Sequence, residues 1–320
     1  MAFLLSRGSA IEWLRKTQEV GARYRRYVIP YSSLEASKTR LSRHLDALEG
    51  LSRPIQLVTW NREDRRRTNM TSCSTMTLPS GKYPCYLVER GVFCAAPELV
   101  FLQMASRLDY DALLFLGCEL CGRYGVWENK TVWRDPICDV GQIKDFLAEC
   151  SGVHGRKKAA RALEGVLPGA ASPMEIGLAL CFVLPKAAGG FGLPAPELNH
   201  ALPVRGAAAR LWNWPTITPD LLWDDHKIAI EYDSDDEHTA SEKITNDSIR
   251  RNVLEEMGYR VVSVTNGIFS DPVQLERAAS VVANALGTGS IEAVDEAWIQ
   301  RCTLQKRLRD LAMHPEKLLG

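Results

Sequence analysis

Residues 227–238, "KIAIEYDSDDEH", carry an apolar, strand-like run straight into five carboxylates and a histidine. In a strand, alternate side chains share a face, so Ala229, Glu231 and Asp233 point one way and Ile228, Ile230 and Tyr232 the other. Glu231 and Asp233 then sit roughly 7 Å apart on one face. Crowded carboxylates repel and raise one another's pKa. The stretch is therefore either a solvated acidic loop or the seat of something positive. The expectation is that the apolar face packs on a core while the acidic face looks outward at the strand's C-terminal end.

Asp220, directly after Pro219, precedes "LLW", which reads as the partner strand across an Asp-Asp-His-Lys turn. Asp220 would reach the same side as Glu231. A hard divalent cation would relieve three converging carboxylates, and Mg²⁺ typically takes one or two carboxylates plus water and phosphate oxygens. Such an ion polarises a phosphodiester and lowers the pKa of an attacking water. Asp220, Glu231 and Asp233 are thus the candidate ligands for Mg²⁺ (or Mn²⁺). An acid directly after "IAI" on a central strand is costly without a partner. Asp224, Asp225, Asp235, Asp236 and Glu237 read as turn and surface residues.

The surrounding pattern predicts a helix over "SPMEIGLALCFVLP", with Ser172 as N-cap, Pro173 at the first helical position and Glu175 at N3. After the hairpin come an amphipathic helix ending at Gly258, the β-branched strand "YRVVSVT", and a closing helix over "PVQLERAASVVANAL". The order α, β-hairpin, α, β, α predicts an α/β sandwich with one mixed sheet over residues 169–320.

Residues 1–168 read as a separate α+β domain. Helical spacing over 9–26 and 32–50 is followed by strands in "IQLVTW", "TSCSTMTL" and "CYLVERGVFCA", then helices through "RKKAARALEGVL", with a boundary near 166–171. Charge divides along the chain. Residues 1–165 hold 25 Lys and Arg against 18 Asp and Glu, and the remainder 14 against 21. Basic clusters at 23–27, 62–67 and 154–161 are either solvated faces or phosphate-binding surface. The nine cysteines follow no even framework. The lone CxxC of Cys118 and Cys121 has no second pair at zinc spacing, so these side chains are expected in the core. No apolar run approaches the ~20 residues of a membrane helix, and "MAFLLSRGSA" lacks the form of a secretory signal. A cytoplasmic protein without a membrane partner is expected.

The order "PD" at 219–220 and "IAIEYD" at 228–233 resembles the PD-(D/E)xK phosphodiesterase superfamily. The continuation is similar to its branch related to very-short-patch-repair endonucleases: Glu231-x-Asp233, then His238, Asp247-x-x-Arg250, Leu254 and Gly258-Tyr259. The resemblance covers roughly residues 170–285. It implies a restriction-endonuclease-like fold in which Asp220 and Glu231 hold metal, Glu175 is an upstream acid, and His238 is a general base or water-positioner. It further implies that Asp247 with Arg250 or Arg251 orients the site or touches phosphate. Each has a plainer reading: Glu175 as a capping-box residue, His238 as a loop histidine, the helix charges as surface pairs. The superfamily's usual lysine is Asp233 here, so Lys227, Lys243 or His238 would have to replace it, and the usual glycine is Ser234. More faintly, "GVFCAAPELVFLQMA" is similar to the C-terminal region of abortive-infection-type antitoxin and regulator proteins.

Two functions follow as expectations. The first is a metal-dependent DNA endonuclease in which the basic first half holds phosphates and Lys227, Arg250 and Arg251 contact the nucleic acid. The second is a non-catalytic DNA-binding regulator or antitoxin-like protein on a degenerate nuclease fold. A second copy of the chain or a toxin would be its protein partner.

Overall fold

The computed structural model describes residues 2–17, 25–35, 41–44, 46–127, 130–233, 240–289, 291 and 297–320. The chain is mixed α/β and divides into two compact units, Met1–Val166 with Pro315–Gly320, and Leu167–His314. The last six residues thus belong to the first unit, which corrects the expected 169–320 span. Their short 3-10 turn buries Leu318. Gly8 permits this return, because a Cβ there would collide with the Leu319 carbonyl oxygen.

The first unit is built on a six-stranded mixed sheet. Its strands are β1 (Phe3–Leu5), β2 (Arg26–Pro30), β3 (Ile55–Val58), β4 (Thr71–Ser74), β5 (Lys82–Glu89) and β6 (Val92–Ala95), in the order β2-β5-β6-β1-β3-β4. Helix α1 (Arg7–Lys16) rests on β3 and β6. Helices α2 (Pro97–Met104), α3 (Tyr110–Leu120), α4 (Val140–Glu149) and α5 (Arg156–Leu163) pack on α1 and one another.

Several short elements depart from the sequence reading. The helix expected over 9–26 ends at Lys16, and Arg26 begins strand β2. Of the segment 32–50, expected as a helix, residues 36–40 and 45 lie outside the described residues; Leu41 is helical, and 3-10 turns form at Tyr31–Ser33, Ser42–His44 and Asp46–Leu48. "CYLVERGVFCA" is two strands, turning at Gly91 with φ +92°. A hairpin of β7 (Tyr124–Trp127) and β8 (Lys130–Trp133) was not anticipated. Cys118 and Cys121 are buried core residues, and the sulfur 4.0 Å from Cys121 is that of Cys138.

The second unit follows the expected order. Helix α6 (Pro173–Val183) starts as the sequence demands: Ser172 Oγ accepts from Glu175 N, and Pro173 occupies the first turn. Three short strands, β9 (Glu197–Leu198), β10 (Leu202–Pro203) and β11 (Thr216–Ile217), lead into β12 (Leu221–Trp223) and β13 (Ile228–Asp233). These two pair antiparallel, and Lys227 takes φ +53° to close the turn. Helix α7 (Ala240–Glu256) ends where Gly258, at φ +85°, lets Tyr259 N reach Leu254 O at 2.9 Å. That 6→1 bond is a Schellman stop. Strand β14 (Arg260–Thr265) then pairs parallel with β13, completing the sheet β14-β13-β12-β9. Helices α8 (Asn266–Ser270), α9 (Pro272–Leu286) and α10 (Trp298–Met313) follow, with α10 lying along α6. No helix among the described residues is long and apolar enough to cross a membrane.

Strand β13 is buried on both faces: Ile228 is 1% exposed and Ala229 and Ile230 are fully enclosed. Ala229 packs in a cluster with Leu222, Val253, Leu254 and Tyr259, which is the α7 side of the sheet. On the other side Tyr232 meets the Phe269 ring at 6.5 Å. Leu254 lies at the centre of the α7 contact. Leu254→Ala is expected to lower stability by about 2–5 kcal/mol, the range for emptying a buried leucine site, measured by urea unfolding of the whole chain.

Candidate active site

The face shared by Ala229, Glu231 and Asp233 is the α7 face, so the acids do not look out into solvent as the strand alternation suggested. Helix α7 crosses them. Since Val253 and Leu254 pack on Ala229, Arg250, one turn earlier, arrives over Glu231. Its Nη2 stands 3.0 and 2.9 Å from the two Glu231 oxygens and donates at 2.8 Å to the Thr218 carbonyl. Arg250 is therefore committed to Glu231, not presented to a phosphate. The Glu231 side chain is 13% exposed, so this pair lies largely out of water.

Asp220 comes to the same place from the neighbouring strand. The register Leu221↔Ile230, carried one residue further, sets Asp220 opposite Glu231, and directly opposed residues of an antiparallel pair share a face. Asp220 Oδ2 accepts the Tyr232 amide at 2.6 Å. Oδ1 has no hydrogen-bond partner among the described residues. Glu175 reaches the group from the first turn of α6. Its Oε2 accepts from Ala171 N at 2.8 Å and Asn199 Nδ2 at 2.6 Å, and its Oε1 from Ser172 Oγ at 2.8 Å. Both readings of Glu175 hold at once: it caps the helix and stands beside the acids.

The electrostatics follow from this convergence. Burial pushes the Asp220 carboxyl well above its ordinary 3.8, and the charges of Glu175 and Glu231 push it further. Burial also raises Glu231, opposed by Arg250 and reinforced by Asp233 and Asp247. Burial raises Glu175 against the pull of its three hydrogen-bond donors. Asp233 ends β13, opposite Thr265, partly buried.

Other expected residues lie elsewhere. Lys227 closes the turn before β13, at the far end of the strand from Asp233. Its Nζ bonds Asp224 Oδ1 at 2.7 Å and Tyr259 OH at 3.0 Å, and it neither replaces the absent lysine nor joins the acids. Arg251 donates to Ser263 Oγ on β14. Ser234, Asp235, Asp236, Glu237 and His238 fall outside the described residues, as does the side chain of Lys243. Sequence reasoning missed Asn199, whose amide side chain holds Glu175 while its backbone N–H bonds Asp220 O at 3.0 Å. Its one local signal is the residue type: asparagine tolerates the φ of +49° adopted there.

A cation would suit Asp220, which offers a hard oxygen without a partner among the described residues, amid excess negative charge. Among the described residues, however, no group of three or more His, Cys, Asp or Glu side chains forms a metal cradle. Glu231 joins one only if Arg250 yields it.

No family model matches the chain. It is 28% identical over 131 residues to two proteins of Mycobacterium tuberculosis, uncharacterized protein MT2308 of strain CDC 1551 and uncharacterized protein Rv2248 of strain H37Rv. The likeness covers 41% of this chain and 44% of each relative, so the chain spans less than half the length of the curated relatives it matches. No solved structure matches.

Two outcomes test this electrostatic picture. A carboxyl whose folded pKa is raised holds its proton longer in the native state, so its ionisation costs stability as pH rises from 3.8 through the folded value. Asp220→Asn removes that cost: the variant is expected to melt higher than wild type at pH 8, with the difference vanishing at pH 4. Arg250→Ala leaves Glu231 buried without its partner, at a cost of about 3–5 kcal/mol. Combining it with Glu231→Gln should restore much of the loss in chemical denaturation.

Proposed function

We propose that the second unit is a restriction-endonuclease-like module that hydrolyses phosphodiester bonds of DNA with the help of Mg²⁺ or Mn²⁺. The observation that carries this reading is the meeting of Glu175, Asp220 and Glu231 from three separate elements at one desolvated point, with Asp220 raised well above its ordinary range by burial and by those two acids. Perturbed acids gathered in this way are characteristic of functional sites. Asp220 would hold the ion, with Glu231 and Asp233 beside it. When bound, the ion supplies Lewis-acid polarisation of the phosphoryl group and a more acidic water.

The chain's own residues do the rest. Asn199 and the Ser172 hydroxyl hold Glu175 in place, and the Tyr232 amide fixes one Asp220 oxygen. Arg250 neutralises Glu231 and would turn to an incoming phosphate only by giving up that contact. His238 remains the proposed water-positioning group.

The commitment of Arg250 to Glu231, with Asp233 at the usual lysine position, favours a second reading: a DNA-binding regulator or antitoxin-like protein that has lost catalysis. Magnesium titration separates the two. For the nuclease, Mg²⁺ binding displaces the Asp220 proton, so calorimetry in buffers of different ionisation heat should show proton release and tighter binding as pH rises. Supercoiled plasmid should be nicked, and Asp220→Asn should lose at least a hundredfold. Salt-dependent DNA binding with no uptake of divalent metal would select the regulator.

A further inference from the structure

The first unit contains a groove of about 1020 Å³, lined by Arg7, Trp60, Arg62, Arg65, Gln103 and His154 among others. It contains part of the 62–67 basic cluster and one end of the 154–161 cluster, neither of which the acid site uses. Its volume stands at the upper end of small-molecule pockets, which run to about 1,000 Å³. We propose that this groove binds a nucleoside phosphate, with the phosphate against Arg7, Arg65 and Gln103 and the base against Trp60.

Three observations support the assignment. First, Arg7 is partly buried, and its guanidinium has no hydrogen-bond partner among the described residues. Burial and the nearby charges of Arg107 and Arg65 bring its pKa down to about 10. A partly buried guanidinium with like charges near it calls for an anion. Second, Gln103 is only 4% exposed, yet its Nε2 has no partner among the described residues. Its Oε1 is already used, accepting the Arg7 backbone N–H at 3.1 Å. A donor of this kind, in a groove also lined by Arg7 and Arg65, suits a phosphate oxygen. Third, Trp60 stacks on Tyr31 with ring centroids 5.2 Å apart and an interplanar angle of 24°, while remaining 56% exposed. A ring backed on one side and open on the other is a stacking platform for a base. Glu63 also lines the groove and would disfavour a bare anion. A nucleotide adds the base contact that offsets this.

The ligand chemistry has two sources, a free nucleotide or one nucleotide of a single strand, and titrations of the full chain at low salt tell them apart. Adenosine 5′-monophosphate is titrated beside adenosine, inorganic phosphate and a thymidine octanucleotide without terminal phosphates. Adenosine and inorganic phosphate should each bind at least tenfold more weakly than the nucleotide. An octanucleotide that competes with the monophosphate identifies a strand as the source, and one that does not identifies the free nucleotide. Arg65→Ala and Trp60→Ala, both at exposed positions, should each weaken the preferred probe at least tenfold. The proposal is overturned if neither the monophosphate nor the octanucleotide binds, or if both variants bind as wild type does.

Discussion

Carboxylates on a strand with no free face set the terms for the second unit. Once Ile228, Ala229 and Ile230 are buried, the residues that continue the same strand must enter protein on both sides, and Glu231 enters beneath α7. A charge taken from water needs an opposite charge or a proton. Arg250 meets that need for Glu231, and its arrival is fixed by the same helical turn that seats Val253 and Leu254. Packing and charge neutralisation are thus one constraint, imposed by the pitch of α7.

Asp220 has no equivalent. It opposes Glu231 across the hairpin and lies near Glu175, and its interaction with Arg250 is weaker than the repulsion from those two acids. The cluster is therefore asymmetric: one acid neutralised by a fixed guanidinium, a second held by neutral donors through Asn199 and Ser172, and a third with one oxygen that no described residue bonds. Such an arrangement costs folding energy at neutral pH, a common trait of sites shaped for a ligand, not for stability.

Much of the second unit was legible in the sequence because its signals were local and concordant. Ser172-Pro173 starts a helix, Gly258 stops one, and "IAIEYD" alternates like a strand; each does so in the structure. The convergence of Asp220 with Glu231 was legible too, since a tight hairpin fixes which residues face each other. What the alternation could not show was the second layer. A strand pattern tells which side chains share a face but not whether a helix covers it, so the acidic face was expected to be open. In the first unit the misreadings were of short elements. Strand β1 has three residues, and the described part of the 32–50 segment, which has helical spacing of leucines, includes 3-10 turns beside the helical Leu41. Periodicity over so few residues does not separate the alternatives.

The return of Pro315–Gly320 to the first unit makes Leu167–His314 an insertion within a parent fold, not a domain appended to it. The first unit is therefore assembled from two stretches of chain, one before residue 167 and one after residue 314, and Leu318 of the second stretch is buried. Joining those stretches closes a loop through residues 167–314, and the entropic cost of closing a loop grows only slowly with its length. The first unit thus completes its packing only with chain that lies beyond a whole second folding unit.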